Sequence, residues 1–193
     1  MSVRPVTTGS SPPIDPDLAE VRAAQADRRA FATLYRRYLD RVYGYCFYLL
    51  GDHHDAEDAT ERSFTAAFDA IDRFRDEGAT FRSWLFRIAH NQVANALRTR
   101  SRHRTDPLDS IPEPAAADDP ARMASLADDA RNVRAAVASL SDDRRQVVIL
   151  RFVDGLTAVE IGVVLGRSAG AVRVLQHRAL RELAALLDQP GTG

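Results

Sequence analysis

The stretch Phe81–Arg104 reads FRSWLFRIAHNQVANALRTRSRHR. It holds six arginines, no acidic residue, and Phe81, Trp84 and Phe86 near its start. A guanidinium is planar and permanently charged, and its forked N–H donors match phosphate oxygens and guanine edges. Overlapping the front of this stretch is RDEGATFRS, a short polar loop centred on Gly78. Aromatics and cations around such a loop can hold single-stranded bases, the rings stacking on base faces while arginines grip the backbone. The competing reading is a solvated basic helix with Trp84 in a core, although a solvated face normally interleaves both signs of charge.

A second stretch, GLTAVEIGVVLGRSAGAVRVLQHRALREL, has the layout of a helix-turn-helix. Thr157 can cap the first helix, Gly162 is small where the helices cross, and Gly166 can take the positive φ of the turn. Ile161, Leu165 and Val172 supply the apolar contacts. Ser168 can cap the second helix, whose exposed face includes Arg173, His177 and Arg178. Such a helix fits a major groove, where arginines reach guanine edges and phosphates. An ordinary helical hairpin with a basic wet side is the alternative, but it does not require this full set of spacings.

Other chemistries find little support. GDHHDAEDA crowds His53, His54, Asp55, Glu57 and Asp58 together. Neighbours along a helix point in different directions, however, and no later His/Asp pair completes a metal site. There is no phosphate-binding glycine loop, nucleophile elbow or other catalytic signature. The expectation is a non-enzyme with neither metal nor cofactor. Cys46, the single cysteine, permits no intramolecular disulfide and reads as a small core residue in VYGYCFYLL. The N-terminal residues have no apolar run of signal-peptide length, and nothing downstream approaches a membrane span, so a soluble cytoplasmic protein is expected.

These residues must be positioned by helices, because no run alternates with period two for long enough to suggest a strand. Ala56, Ala59, Thr60, Ser63, Phe64, Ala67, Phe68 and Ile71 fall at helical spacing on one face, and Asp58, Glu61, Arg62, Thr65 and Asp69 point the other way. Asp52 is an N-cap candidate after the Gly51 break, and Ser141 another before DDRRQVVIL. The net charge of −1 hides separated blocks: Asp52–Glu61 carries five acids and no base, and Asp106–Asp129 seven acids against Arg122. All 26 basic residues are arginine, a bias that the codon usage of a GC-rich genome explains more readily than function does. The fold class is therefore all-α: two small helical domains, 18–104 and 125–188, joined by a flexible acidic linker over 105–124. Residues 1–17 are expected to be disordered, and 189–193 form a tail. The second domain, with about 60 residues, would be marginally stable alone.

FATLYRRYLDRVYGYCFYLLGDHHDAEDATERSFTAAFDAIDRF followed by FRSWLFRIAHNQVANALR resembles the second conserved region of the extracytoplasmic-function (ECF) bacterial sigma factors. LSDDRRQVVILRFVDGLTAVEIGVVLGRSAGAVRVLQHRAL resembles their fourth. The likeness covers Asp27–Arg104 and Leu126–Leu187. Many response regulators share such a helix-turn-helix, but DAEDATERSF and FRSWLFRIAHN, in that order, are specific. The resemblance implies that Asp58, Glu61, Arg62, Thr65 and Asp69 dock on the clamp helices of the polymerase β′ subunit. It implies that the loop Gly78, Ala79, Thr80, Phe81, Arg82 and Ser83, with Trp84, captures a flipped base of the −10 element. Arg87, Asn91 and Arg98 would lie along the same strand. Arg167, Ser168, Ala169, Gly170, Ala171, Arg173, Val174, His177 and Arg178 would contact the −35 element. The partners implied are core RNA polymerase (β′ clamp helices and β flap), promoter DNA and an anti-sigma factor in trans. Asn95 stands where the family usually has Asp, and VLQ at Val174–Gln176 leaves open whether Leu175 or Gln176 faces DNA.

Two other classes compete. A stand-alone helix-turn-helix regulator with a helical sensor domain would bind duplex operator without polymerase. A small metal-dependent hydrolase would rest on HHDAED alone. The short tail after Leu187 is expected to leave no room for a fused sensory domain, so regulation would act in trans or through synthesis of the protein.

Overall fold

The computed structural model describes residues 15–76, 78–103 and 132–188, which hold eight α-helices and no strand. Among the described residues no helix is long and apolar enough to cross a membrane. The expected linker over 105–124, the tail 189–193 and residues 1–14 lie outside them.

The first group contains α1 (Leu18–Ala26), α2 (Phe31–Leu50), α3 (His53–Ala70) and α4 (Phe81–His103). Along α2, Phe31, Leu34, Tyr38, Val42, Tyr45, Cys46 and Leu50 recur every three or four residues and are buried on one face. The helix stops at Gly51, whose φ of 69° closes it with a hydrogen bond to the Phe47 carbonyl. Asp52 then caps α3, accepting from the Asp55 amide at 2.9 Å. The expected α3 stripe is buried except for Phe68, which is half-buried. Its two polar members are satisfied locally, Thr60 and Ser63 donating to the carbonyls of Ala56 and Ala59. Phe81, Leu85, Phe86, Ala89 and Val93 bury one side of α4 against α2 and α3.

Asp15 and Asp17 depart from the expectation that residues 1–17 lie outside the fold. Both are buried, and Asp17 accepts from the Tyr38 hydroxyl and the Arg37 guanidinium. A proline-flanked acidic segment looks solvent-seeking in sequence, but here it has buried donors to meet.

The second group contains α5 (132–139), α6 (Asp142–Val148), a π-helical turn (Ile149–Val153), α7 (Ala158–Leu165) and α8 (Ala169–Leu187). Ser141 occupies the cap position of α6, but its side chain makes no cap hydrogen bond; Asp142 and Asp143 of the first turn face the helix dipole instead. Thr157 caps α7 as expected, within a reciprocal capping box completed by Glu160.

The two groups do not stand apart as independent modules. Val147, Ile149, Leu150, Leu156, Ile161, Val164 and Val172 join one continuous core with the first group, and α7 packs on α4. Among the described residues, only a small cluster of Leu140, Val148 and Ala179 belongs to the second group by itself. A domain of this size buries little apolar surface by itself, and α4 offers it a partner.

Candidate nucleic-acid interface

The head of α4 carries a dense network of polar contacts. Thr80 is its N-cap: its hydroxyl accepts from the Ser83 amide at 3.3 Å and its carbonyl takes the Ser83 hydroxyl at 2.9 Å. The same Thr80 hydroxyl donates to Glu160 Oε1 of α7 at 2.8 Å. Arg82 forks onto that carboxylate, Nη2 reaching Oε1 at 2.8 Å and Oε2 at 2.7 Å, with Nε 3.1 Å from Oε1. Oε2 also accepts from the Thr157 amide and hydroxyl, each at 2.8 Å. Burial alone would raise the Glu160 pKa, but its bonds to Arg82, Thr157 and Thr80 outweigh that and hold it below the ordinary glutamate value. One carboxylate thus caps α7 and binds α4.

A second acid sits at the same junction. Arg41 of α2 donates to the Asp154 carbonyl and lies 4.0 Å from its carboxylate, which is wholly buried. Among the described residues neither carboxylate oxygen has a hydrogen-bond partner. Burial pushes the Asp154 pKa up to about 7, against the pull of Arg41 and Arg82.

The residues expected to meet the −10 element divide sharply. Gly78, at φ 82°, is exposed and Ala79 half-exposed. Arg87, Asn91 and Arg98 lie exposed along one side of α4. Arg98 also donates to Asn95. Thr80, Phe81 and Ser83 are buried, and Arg82 is engaged by Glu160, so these four are not presented to a nucleic acid in this conformation. Phe81 is no free stacking ring: it packs among Tyr38, Phe74 and Trp84 at centroid distances of 5.8, 6.0 and 5.6 Å. Phe86 is buried against Tyr45. The aromatics near the loop are core, with half-buried Trp84 the exception. Arg104 lies outside the described residues.

The α3 face is presented as expected. Glu61, Arg62, Thr65 and Asp69 are exposed and Asp58 is half-exposed, opposite the buried stripe. Arg62 pairs with Asp58 at 2.9 Å and Arg28 approaches Asp69 at 3.9 Å. His53, which a metal reading would use, instead meets the Tyr43 hydroxyl at 2.6 Å.

The helix-turn-helix is built as its spacing suggests. Gly166 takes φ 64° in the turn. A Cβ on Gly162 would sit 2.5 Å from the Arg167 carbonyl oxygen, so only glycine allows this crossing. Ser168 caps α8, accepting from the Ala171 amide at 3.1 Å. Gly170, Ala171, Arg173, Val174, His177 and Arg178 are exposed along α8, and Ala169 is half-buried. Leu175 packs against the core, so it is turned inward, while Gln176 is half-buried. Arg167 is drawn to Asp143 at 2.6 Å.

Sequence reasoning missed Asp15, Arg41, Asp154 and Glu160. The pattern Thr157-x-x-Glu160 is a readable capping-box signal, but nothing local points from it to Arg82.

The comparisons agree with this geometry. Residues 34–103 match the family model for Sigma-70 region 2, and residues 136–185 that for Sigma-70, region 4. The ECF RNA polymerase sigma factor ShbA of Streptomyces griseus subsp. griseus is 37% identical over 177 residues, spanning 87% of this chain and 93% of that one. SigD of Mycobacterium tuberculosis is 34% identical over 188 residues, spanning 95% and 88%. Among solved structures, CnrH in complex with the cytosolic domain of CnrY aligns with a TM-score of 0.67 at 28% identity, covering 92% of this chain and 100% of that one. RpoE in complex with the anti-sigma factor NepR, from Bartonella quintana, aligns with a TM-score of 0.66 at 25% identity, covering 83% and 98%. On fold, motif order and relatives alike, the chain belongs to the ECF RNA polymerase sigma factors.

Proposed function

We propose that this protein binds core RNA polymerase in the cytoplasm and directs it to promoters, reading two DNA elements and carrying no catalysis of its own. The single observation that carries the reading is the coexistence of a groove-ready helix-turn-helix with an exposed arginine-bearing α4 in one short chain. Arg173, Val174, His177 and Arg178 of α8 read the −35 element in the major groove. Gly78 and Ala79 meet the flipped −10 base, and Arg87, Asn91 and Arg98 hold the strand behind it. Asp58, Glu61, Arg62, Thr65 and Asp69 dock on the β′ clamp helices, and the second domain meets the β flap.

The closed arrangement bears on how this works. By their numbering the −35 and −10 elements are about 25 base pairs apart, roughly 85 Å of duplex at about 3.4 Å per step. Helices α4 and α7 touch directly, Thr80 lying 2.8 Å from Glu160. A chain closed in this way cannot span both elements, so promoter engagement requires the two groups to part. The free protein is a resting form, and an anti-sigma factor that held it closed would silence it.

A gel shift with promoter duplex, run with and without core polymerase, tests the proposal. Binding that depends on core supports it; tight operator binding by the protein alone would favour the stand-alone regulator.

A further inference from the structure

The first turn of α4 sets the direction of the loop proposed to read the −10 element, and one of its amides is held from far away in sequence. The Phe81 N–H donates to Asp15 Oδ2 at 2.6 Å, across 66 residues of chain. Asp15 is 3% exposed. Its Oδ1 accepts from the Asp17 amide at 3.0 Å, and its carbonyl from the Leu18 amide at 3.3 Å. Asp17 is anchored in turn by Tyr38 and Arg37, so the Asp15 carboxylate is fixed relative to α2. The Tyr38 ring lies 5.8 Å from that of Phe81. Phe81 is therefore gripped at both its amide and its ring.

The first four amides of a helix have no acceptor within it. Thr80 serves the Ser83 amide. The Phe81 amide is left over, and Asp15 takes it with a negative group at the positive end of the helix dipole. Desolvation raises the Asp15 pKa, and the bonds from the Phe81 and Asp17 amides pull it back only in part. An apolar side chain would fill this space without burying a charge. What Asp15 adds is direction: it fixes the amide into which Gly78, Ala79 and Thr80 run. Glu160, by contrast, grips the same turn from a group of helices that must depart.

We propose that Asp15 is a positioning residue for −10 recognition, holding the reading loop in register after the two helical groups have parted. This rests on the −10 assignment made above. It places a determinant of promoter selectivity at a buried residue that precedes the first helix.

The test uses polymerase reconstituted with the full-length protein and measures open-complex formation on a library randomised in the −10 element. Asp15→Ala should lower the preference for the best −10 base roughly fivefold to tenfold, the effect of losing one helix cap. Its affinity for core and for −35 duplex should stay that of wild type. Asp15→Asn, whose amide oxygen can still accept from Phe81, should keep most of the preference. Val21→Ala, which thins the core under α1, controls for lost stability and should leave base preference intact. If Asp15→Ala merely weakens opening as Val21→Ala does, with unchanged base preference, Asp15 is structural only and the proposal fails. A parallel swap of Ala79 and Thr80 separates the two levels. Should that swap leave preference unchanged, the −10 assignment falls and takes the proposal with it. Should it change preference while Asp15→Ala does not, the Asp15 proposal alone falls.

Discussion

Changing Glu160 to Gln asks how the two groups of helices are held. Gln keeps the length of the side chain and an oxygen for the Thr157 amide, so the capping box of α7 can survive. What disappears is the charge that Arg82 grips. The pair is largely buried, the Glu160 side chain 5% exposed and that of Arg82 23%. Breaking a buried pair from one side costs about 3–5 kcal/mol, whereas an exposed pair contributes less than about 1 kcal/mol. Arg82 keeps some access to water, so a loss of about 2–3 kcal/mol is expected. Pairing the change with Arg82→Gln in a double-mutant cycle should give a coupling of about 2 kcal/mol. Urea unfolding can be followed by the fluorescence of Trp84, the only tryptophan, which packs against Phe74 and Phe81 at 5.3 and 5.6 Å. Wild type should unfold in one transition, since the groups share a core. Glu160→Gln should split it, the second group leaving first, and amide exchange from Thr80 to Trp84 should quicken. Glu160 has a depressed pKa in the fold, so its contribution is present above the ordinary glutamate range and lost as pH falls below it. A coupling under about 0.5 kcal/mol, with a single transition retained, would refute this reasoning.

Asp154 should act in the opposite sense to Glu160. Its folded pKa is raised to about 7, so stability is full below the ordinary carboxylate range and declines as pH climbs to about 7. Asp154→Asn should flatten that decline and raise stability at pH 8 by up to about 4 kcal/mol; melts over a pH series check it. Reversing Asp58 and Glu61 to Arg should abolish core-polymerase binding while shifting stability by less than about 1 kcal/mol, because only the surface pair with Arg62 is lost. Pull-down and melting of the double variant test both halves. Gly162→Ala should cost about 1–3 kcal/mol and remove −35 duplex recognition, since its methyl group meets the Arg167 backbone. A conservative change with neither effect would mean that the crossing of α7 and α8 is not set by this glycine.

Much of the architecture is legible because it is written in local spacing. The α3 stripe, the Gly51–Asp52 break and the turn from Thr157 to Ser168 each depend on residues within a few positions of one another, and each appears as read. What is not legible locally concerns distant partners. Phe81 looked like a stacking ring beside a loop, yet its spacing with Leu85, Ala89 and Val93 is itself a core stripe. The arginines interleaved with these aromatics mask that stripe in the sequence. Asp15 and Glu160 could not be found locally, since the groups they serve lie 66 and 78 residues away. The docking of α7 on α4 was hidden for the same reason, and a polar linker composition suggested separation. Leu175 is settled only by seeing which side of α8 meets the core.

In the proposed function this chain gives promoter specificity to core polymerase and binds promoter duplex little by itself. The most direct measurement is in vitro transcription from a library randomised at both promoter elements, with start sites mapped for core alone, protein alone and the two together. Discrete start sites are expected only in the combined reaction, preceded by a fixed −35 and −10 pair. Replacing Arg173 and Arg178 should blur the −35 sequence alone. Transcription no different from core alone, together with tight binding of duplex by the free protein, would contradict it.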